Sequence, residues 1–167
     1  RQAIPVQFHT GYGDTDMDLR LGNPLHLRAV LEDARYRGMP VVLLHACWPF
    51  TREGGYLAAV YGQVYLDLSY GIPFLSAGEQ LAFTRAALGV APTAKLLYSS
   101  DGVGLPELHW LSAIEGRRLL ARALEECVAE GDLTPAEAAR AGEGILRENA
   151  RRLYGLDAGG AARVTLL

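Results

Sequence analysis

Four short apolar runs mark the chain: IPVQFH (4–9), VVLLH (41–45), VYLDL (64–68) and KLLYS (95–99). They are nearly continuous in apolar, β-forming residues rather than alternating. That is the pattern of strands covered on both faces. Between and after them, apolar residues recur every three or four positions, the period of helices packed on one side. The segment NPLHLRAVLEDARYRG (23–38) predicts a helix with Asn23 as N-cap, Pro24 in the first turn and Gly38 as the stop. Residues 51–62 predict a weaker helix, because Gly54 and Gly55 lie near its start. Ser76 and Glu79 have capping-box spacing and open a helix that ends at Gly89. Residues 105–131 predict the longest helix, with a possible point of strain at Gly116. Thr134, Pro135 and Glu137 open a last helix that runs to Gly155, and the tail LDAGGAARVTLL predicts irregular chain as far as Val164.

The order is therefore β-α-β-α-β-α-β-α-α, an α/β fold with a parallel sheet and right-handed crossovers. Two architectures fit: an open doubly wound sheet, or part of a (β/α)8 barrel of the TIM type. A whole barrel takes about 250 residues, so four units amount to about half of one. A half barrel on its own would leave two raw sheet edges. The 167 residues are enough for one domain, 1–167. The chain opens RQAIPV, without an initiator Met, and a strand starts almost at once, so a segment of a longer protein is the expectation.

Composition narrows the function classes. Half the residues are apolar and 21% are charged, with a net charge of -3. No basic footprint for nucleic acid is present. No apolar run reaches the roughly 18 residues of a membrane span, and no leader pattern is visible. Cys47 and Cys127 are too few for a disulfide framework and lack metal-site spacing, so a reduced, cytoplasmic protein is expected.

The candidate chemistry sits where the strands end. His9, His45 and Asp101 each close an apolar run and precede small or turn-forming residues. In both architectures, ligands bind at the carboxyl ends of parallel strands. Imidazole nitrogen and carboxylate oxygen are both good donors to zinc and similar divalent ions. Residues held on separate strands could share one ion and leave room for a water, whose pKa the ion would lower. The ordinary alternative for any one strand-end His is a hydrogen-bonded structural role.

His26, within the first helix, reads as packing or surface, whereas His109 could face the same rim. Asp67 is either a rim residue or a satisfied polar group in its strand, and Cys47 reads as a small buried thiol. Asp14, Asp16 and Asp18 faintly echo a calcium loop, but the Gly expected at its sixth position and the Glu at its twelfth are missing. Arg20 and Arg52 follow the first two strands and could clamp a substrate carboxylate.

The set PVQFHTGYGDTDMDLRLGNPLHL, PVVLLHACWPFTREGGYLA, VYLDLS, KLLYSSDG and ILRENARRLYGL resembles the amidohydrolase superfamily. The branch is the amidohydrolase-2 type of metal-dependent TIM-barrel hydrolase, including the domain fused to glutamine-synthetase-like proteins in the nodulin/FluG group. The resemblance implies that this chain corresponds to strands five to eight. It implies His9 as a metal ligand, His45 as a ligand or polarising residue, and Asp101 as a ligand and general base. It also implies a divalent metal, zinc first, and a small-molecule substrate; a separate expectation from the residues is that Arg20, Arg52, Tyr98 and His109 line the substrate side. Asn149, Ala150, Arg152, Leu153 and Tyr154 match the terminal helix of the branch. The family's first-strand His-x-His pair has no counterpart here, so the site would need a missing N-terminal half-barrel or another copy of the chain.

The implied activity is hydrolysis of a C–N or ester bond. Non-oxidative decarboxylation is the enzymatic alternative, and a non-catalytic assembly module with a glutamine-synthetase-like partner is the other.

Overall fold

A computed structural model describes residues 4–13, 15, 17–70 and 75–156. Four strands, β1 (Val6–Phe8), β2 (Val41–Leu43), β3 (Val64–Asp67) and β4 (Leu96–Leu97), form one sheet in the order β1-β2-β3-β4. Every pair is parallel, and Phe8, Leu43, Leu66 and Leu96 stand in register across it. Strand order that follows chain order without reversal is the barrel-type arrangement. A doubly wound sheet would reverse direction at a switch point. The sheet is thus partial-TIM-barrel-like.

Its two faces differ as the pleat requires. Val41, Leu43, Val64, Leu66, Leu68 and Leu96 point into the apolar core shared with the helices. Gln7, Val42, Leu44, Asp67 and Leu97 line a cleft on the other face. Val41, Leu43, Val64 and Leu66 are 1% exposed or less, and burial of such a side chain contributes about 1.5–3 kcal/mol. β1, by contrast, is poorly covered: Val6 and Gln7 are exposed and Phe8 is half-buried.

The helices are α1 (Arg28–Glu32), α2 (Thr51–Val60), α3 (Ala77–Leu88), α4 (Pro106–Glu130), α5 (Pro135–Glu143) and α6 (Asn149–Tyr154). The first expected helix, 23–38, is broken. Asn23 caps a 3-10 turn (Pro24–Leu27) that leads into α1, and α1 stops because Asp33 turns extended and caps the Arg35 N–H instead. Side-chain competition of this kind is characteristic of Asp. His26 lies in the 3-10 turn, with Nε2 3.1 Å from the Arg20 carbonyl oxygen.

α2 forms despite its glycines. A Cβ on Gly54 would lie 2.6 Å from Cys47 Sγ, so the close approach of helix and turn requires glycine there. Ser76 caps α3, but Glu79 does not complete the capping box; its carboxylate accepts from Trp48 Nε1 at 2.9 Å. α4 runs unbroken through Gly116, which packs against the rings of Tyr70 and Tyr98. The Thr134–Glu137 capping box is complete.

A π-helical turn (Gly144–Glu148) joins α5 to α6 and covers the free edge of β4. Tyr98 N donates to Ile145 O, and Asn149 Nδ2 donates to Thr93 O and Leu96 O. Asn149 is only 2% exposed, so these are bonds that water cannot replace. The tail expected to be irregular as far as Val164 lies outside the described residues from 157 onward. Among the described residues, no helix is long and apolar enough to cross a membrane.

Candidate functional site

The ends of the strands are built from strained backbone. His45 follows β2 at φ 62°, Ser69 follows β3 at φ 37° and Asp101 follows β4 at φ 50°. Ala46 and Cys47 are also left-handed, at φ 50° and 52°. Such conformations cost non-glycine residues about 1–3 kcal/mol each and persist only where surrounding contacts hold them. Here the contacts are identifiable. The His45 backbone N–H donates to Ser69 Oγ at 3.2 Å, and Ser69 Oγ donates to Asp67 Oδ2. Ser99 Oγ lies 3.2 Å from Ser69 Oγ. Thr10 Oγ1 bonds to Leu44 O at 2.9 Å and to Cys47 Sγ at 3.1 Å, tying the end of β1 to the turn after β2. Burial pushes the Cys47 thiol up to about 12, so it is an inert packing group. Burial also raises the pKa of Asp67, against the hydrogen bonds it receives from Ser69 and Ser99.

Above this network sit three groups whose residue types suit metal binding. His45 is 5% exposed, and its Nδ1 has no hydrogen-bond partner. That nitrogen lies 3.4 Å from Asp101 Oδ2. The ring of His9 stands beside it, with centroids 4.4 Å apart. Burial lowers the His45 pKa, opposed by the Asp101 carboxylate and assisted by His9. At neutral pH the imidazole is therefore held neutral, with a lone pair available, which is the form that binds metals.

Two ligands on a tetrahedral ion with bonds of about 2.1 Å are separated by roughly 3.4 Å. The pair His45–Asp101 has that separation and lacks hydrogen-bond geometry, as expected of two acceptors facing one cation. The donor types and this spacing fit a divalent ion. Among the described residues, however, no three His, Cys, Asp or Glu side chains form a complete metal-binding group.

The cleft below and beside this pair has a volume of about 360 Å³, and its lining includes His45, Asp67, Tyr98, Asp101, His109 and Tyr154. Tyr98 and His109 thus line the same cleft as His45 and Asp101. His109 Nδ1 is 2.7 Å from Ser100 Oγ, in the turn that carries Asp101. Arg20 and Arg52 are not part of this cleft. Arg20 is spent on a two-pronged pair with Asp18 and is otherwise exposed. Arg52 is the second residue of α2, and it lines a separate groove with Trp48 and Glu79.

One residue of the site, Tyr12, was not singled out by the sequence. Tyr12 Oη donates to Asp101 Oδ2 at 3.1 Å, and its ring meets that of His45 edge-on at 5.3 Å. Only its place in a Gly-Tyr-Gly turn hinted at a special position.

An amidohydrolase family model matches residues 2–156. Protein fluG of Emericella nidulans is 42% identical over 153 residues, which is 92% of this chain and 18% of that protein. A crystal structure from Lactobacillus casei, provisionally described as a metal-dependent hydrolase, is 34% identical with a TM-score of 0.78; the match covers 93% of this chain and 40% of that one. The chain therefore spans well under half the length of either relative. With the family model matching nearly all of its length, the chain belongs to the amidohydrolase family.

Proposed function

We propose that this chain carries part of the active centre of a metal-dependent hydrolase that cleaves a C–N or ester bond of a small molecule. The observation that supports this most directly is the buried, unpartnered His45 Nδ1 facing Asp101 Oδ2 at 3.4 Å. In this reading His45, Asp101 and His9 hold a divalent ion, zinc by the nature of the donors. When bound, the ion supplies Lewis acidity and a water that is nucleophilic at neutral pH.

The chain's own residues do the rest. Asp101 accepts a proton from the attacking water and returns it to the departing nitrogen or oxygen. The hydrogen bond from the His45 backbone to Ser69, itself anchored by Asp67, keeps the imidazole at the rim. Tyr98 and His109 border the cleft where the substrate lies.

The segment 1–167 is read as one domain corresponding to strands five to eight of an eight-stranded barrel. The strand order without reversal and the exposure of Val6 and Gln7 on β1 support that reading. The remaining ligands and the other barrel wall then come from further protein, either an N-terminal half-barrel or a second copy.

Decarboxylation is less well supported, because its carboxylate clamp was expected at Arg52, which lines a different groove. A non-catalytic assembly role gives no reason to bury an imidazole nitrogen without a partner, which costs about 1–3 kcal/mol.

The test is metal analysis of the full-length protein containing this segment, together with a panel of amide and ester substrates. Asp101→Ala and His45→Ala should each lose bound metal and hydrolysis while retaining the wild-type circular dichroism spectrum. Unchanged metal content and turnover in both variants would refute the assignment.

A further inference from the structure

The loops that follow the two outermost strands of the sheet meet at one hydrogen bond. Tyr12, after β1, reaches Asp101, after β4, across 89 positions of sequence. Among the described residues, no other side chain hydrogen-bonds to the Asp101 carboxylate. The phenol donates to Oδ2, the same oxygen that lies 3.4 Å from His45 Nδ1. Its ring packs edge-on against His45 and lies 6.5 Å from that of His9. Tyr12 therefore touches all three candidate ligand residues and belongs to none of the chemistry assigned above.

Its placement is built into the backbone. Tyr12 N donates to Trp48 O at 2.8 Å, and Gly11 N to Gly22 O at 2.8 Å. Gly11 is left-handed, at φ 73°, and a Cβ there would lie 2.2 Å from Trp48 O, so the turn that presents Tyr12 is open to glycine alone. A side chain fixed at both its backbone and its tip can impose its position on its partner. Asp101 lies in the turn beyond β4, is partly exposed, and accepts its one side-chain hydrogen bond among the described residues from Tyr12.

We propose that Tyr12 is a positioning residue: its hydroxyl holds the Asp101 carboxylate with Oδ2 turned toward His45, and so fixes the spacing of the two groups for a divalent cation. This rests on the metal reading of His45 and Asp101 given above. Loss of such outer partners typically weakens metal binding or activity about 10–100-fold.

The experiment measures Zn(II) and Co(II) affinity of the full-length protein by chelator competition, for wild type, Tyr12→Phe and Asp101→Asn. Tyr12→Phe keeps the ring and removes only the hydroxyl. It should bind either ion about 10-fold or more weakly, shift the Co(II) absorption bands, and lower kcat more than it raises KM. Its metal-free unfolding midpoint should stay at the wild-type value.

Wild-type metal affinity in Tyr12→Phe, with Asp101→Asn weakened, would overturn the role of Tyr12 and leave the metal reading standing. Wild-type affinity in Asp101→Asn would overturn the metal reading itself, and the inference with it. A fall in the metal-free midpoint large enough to account for the lost affinity would also overturn the positioning role, since the hydroxyl would then be a general stabilising contact. If Tyr12→Phe did not fold, 3-fluorotyrosine at position 12, which keeps ring and hydroxyl but changes the strength of the hydrogen bond to Asp101, would decide: wild-type Zn(II) affinity and Co(II) bands would overturn the role of Tyr12, and a change in both would support it.

Discussion

Gly54 tests whether α2 holds the turn that presents His45. In an ordinary helix interior, replacing Gly by Ala stabilises by about 1 kcal/mol. At Gly54 the new Cβ would sit 2.6 Å from Cys47 Sγ, 3.1 Å from Cys47 Cβ and 3.3 Å from Leu66 Cδ1. Neither neighbour can move aside cheaply. Cys47 and Leu66 are both fully buried, Cys47 is left-handed at φ 52°, and its sulfur accepts a hydrogen bond from Thr10. Overpacking of this kind costs about 1–3 kcal/mol. The helical gain of about 1 kcal/mol offsets part of that, so Gly54→Ala should destabilise by up to about 2 kcal/mol instead of stabilising.

Urea unfolding reads this as a lower midpoint at unchanged slope. The cause is separable by a double-mutant cycle. Cys47→Ala removes the atom at 2.6 Å, and in that background Gly54→Ala should lose most of its penalty. A higher midpoint for Gly54→Ala alone, or an equal penalty with and without the Cys47 sulfur, would refute the claim that this contact sets the position of the turn.

Two further outcomes follow from local chemistry. Thr134→Ala should destabilise by about 1 kcal/mol in urea unfolding, because Thr134 Oγ1 caps the Glu137 N–H while Glu137 Oε2 accepts the Thr134 N–H; an unchanged midpoint would mean that the helix start is held by other contacts. Burial holds His45 below its ordinary pKa, so on acidification the unfolded chain takes up this proton first. The associated stability is complete above the unfolded value of about 6.5 and is lost as pH falls toward the folded one. In the metal-free protein the midpoint should therefore drop more between pH 7 and 5.5 in wild type than in His45→Asn, and parallel slopes would contradict it.

The readable parts of this protein were those fixed by local pattern. Near-continuous apolar runs located the four strands of the sheet; β2, β3 and β4 are buried on both faces and so carry little alternation, while β1 is largely exposed. His9, His45 and Asp101 stood out because each interrupts such a run. Thr134 and Glu137 announced a helix start because both halves of that contact lie within four residues. Elements whose partners lie far along the chain were misread for the same reason. Glu79 has capping-box spacing, yet Trp48 claims its carboxylate. Asp33 was misread for a different reason: it lies in a helical period, yet its side chain takes the Arg35 N–H two residues on and ends the helix. Arg52 looked free to face the rim, but the start of α2 turns it toward another groove. Tyr12 could not be found at all, since its partner lies 89 positions away and only the sheet brings them together.

The strand ends themselves carry a further implication. A turn that needs only a left-handed backbone is most stable with glycine, which adopts that conformation without steric cost. Glycine does occupy the left-handed positions at Gly38, Gly104 and Gly131, where a Cβ would meet nothing within 4 Å. After β2, β3 and β4 the same backbone is instead occupied by His45, Ser69 and Asp101. These side chains are either buried in hydrogen bonds, as Ser69 is, or turned toward one another, as His45 and Asp101 are. Strain at three neighbouring strand ends is difficult to attribute to chain reversal, which glycine would achieve more cheaply. It is accounted for if the reversal has to deliver a side chain at the point of the turn. Asp67 then has a specific place in the design: it is a buried carboxylate whose bond to Ser69 holds the middle of the three turns, and Ser69 in turn accepts the His45 backbone N–H. The energy held in that arrangement has the size of the strain it restrains, about 1–3 kcal/mol per residue, and it is concentrated at the three strand ends that carry His45, Ser69 and Asp101.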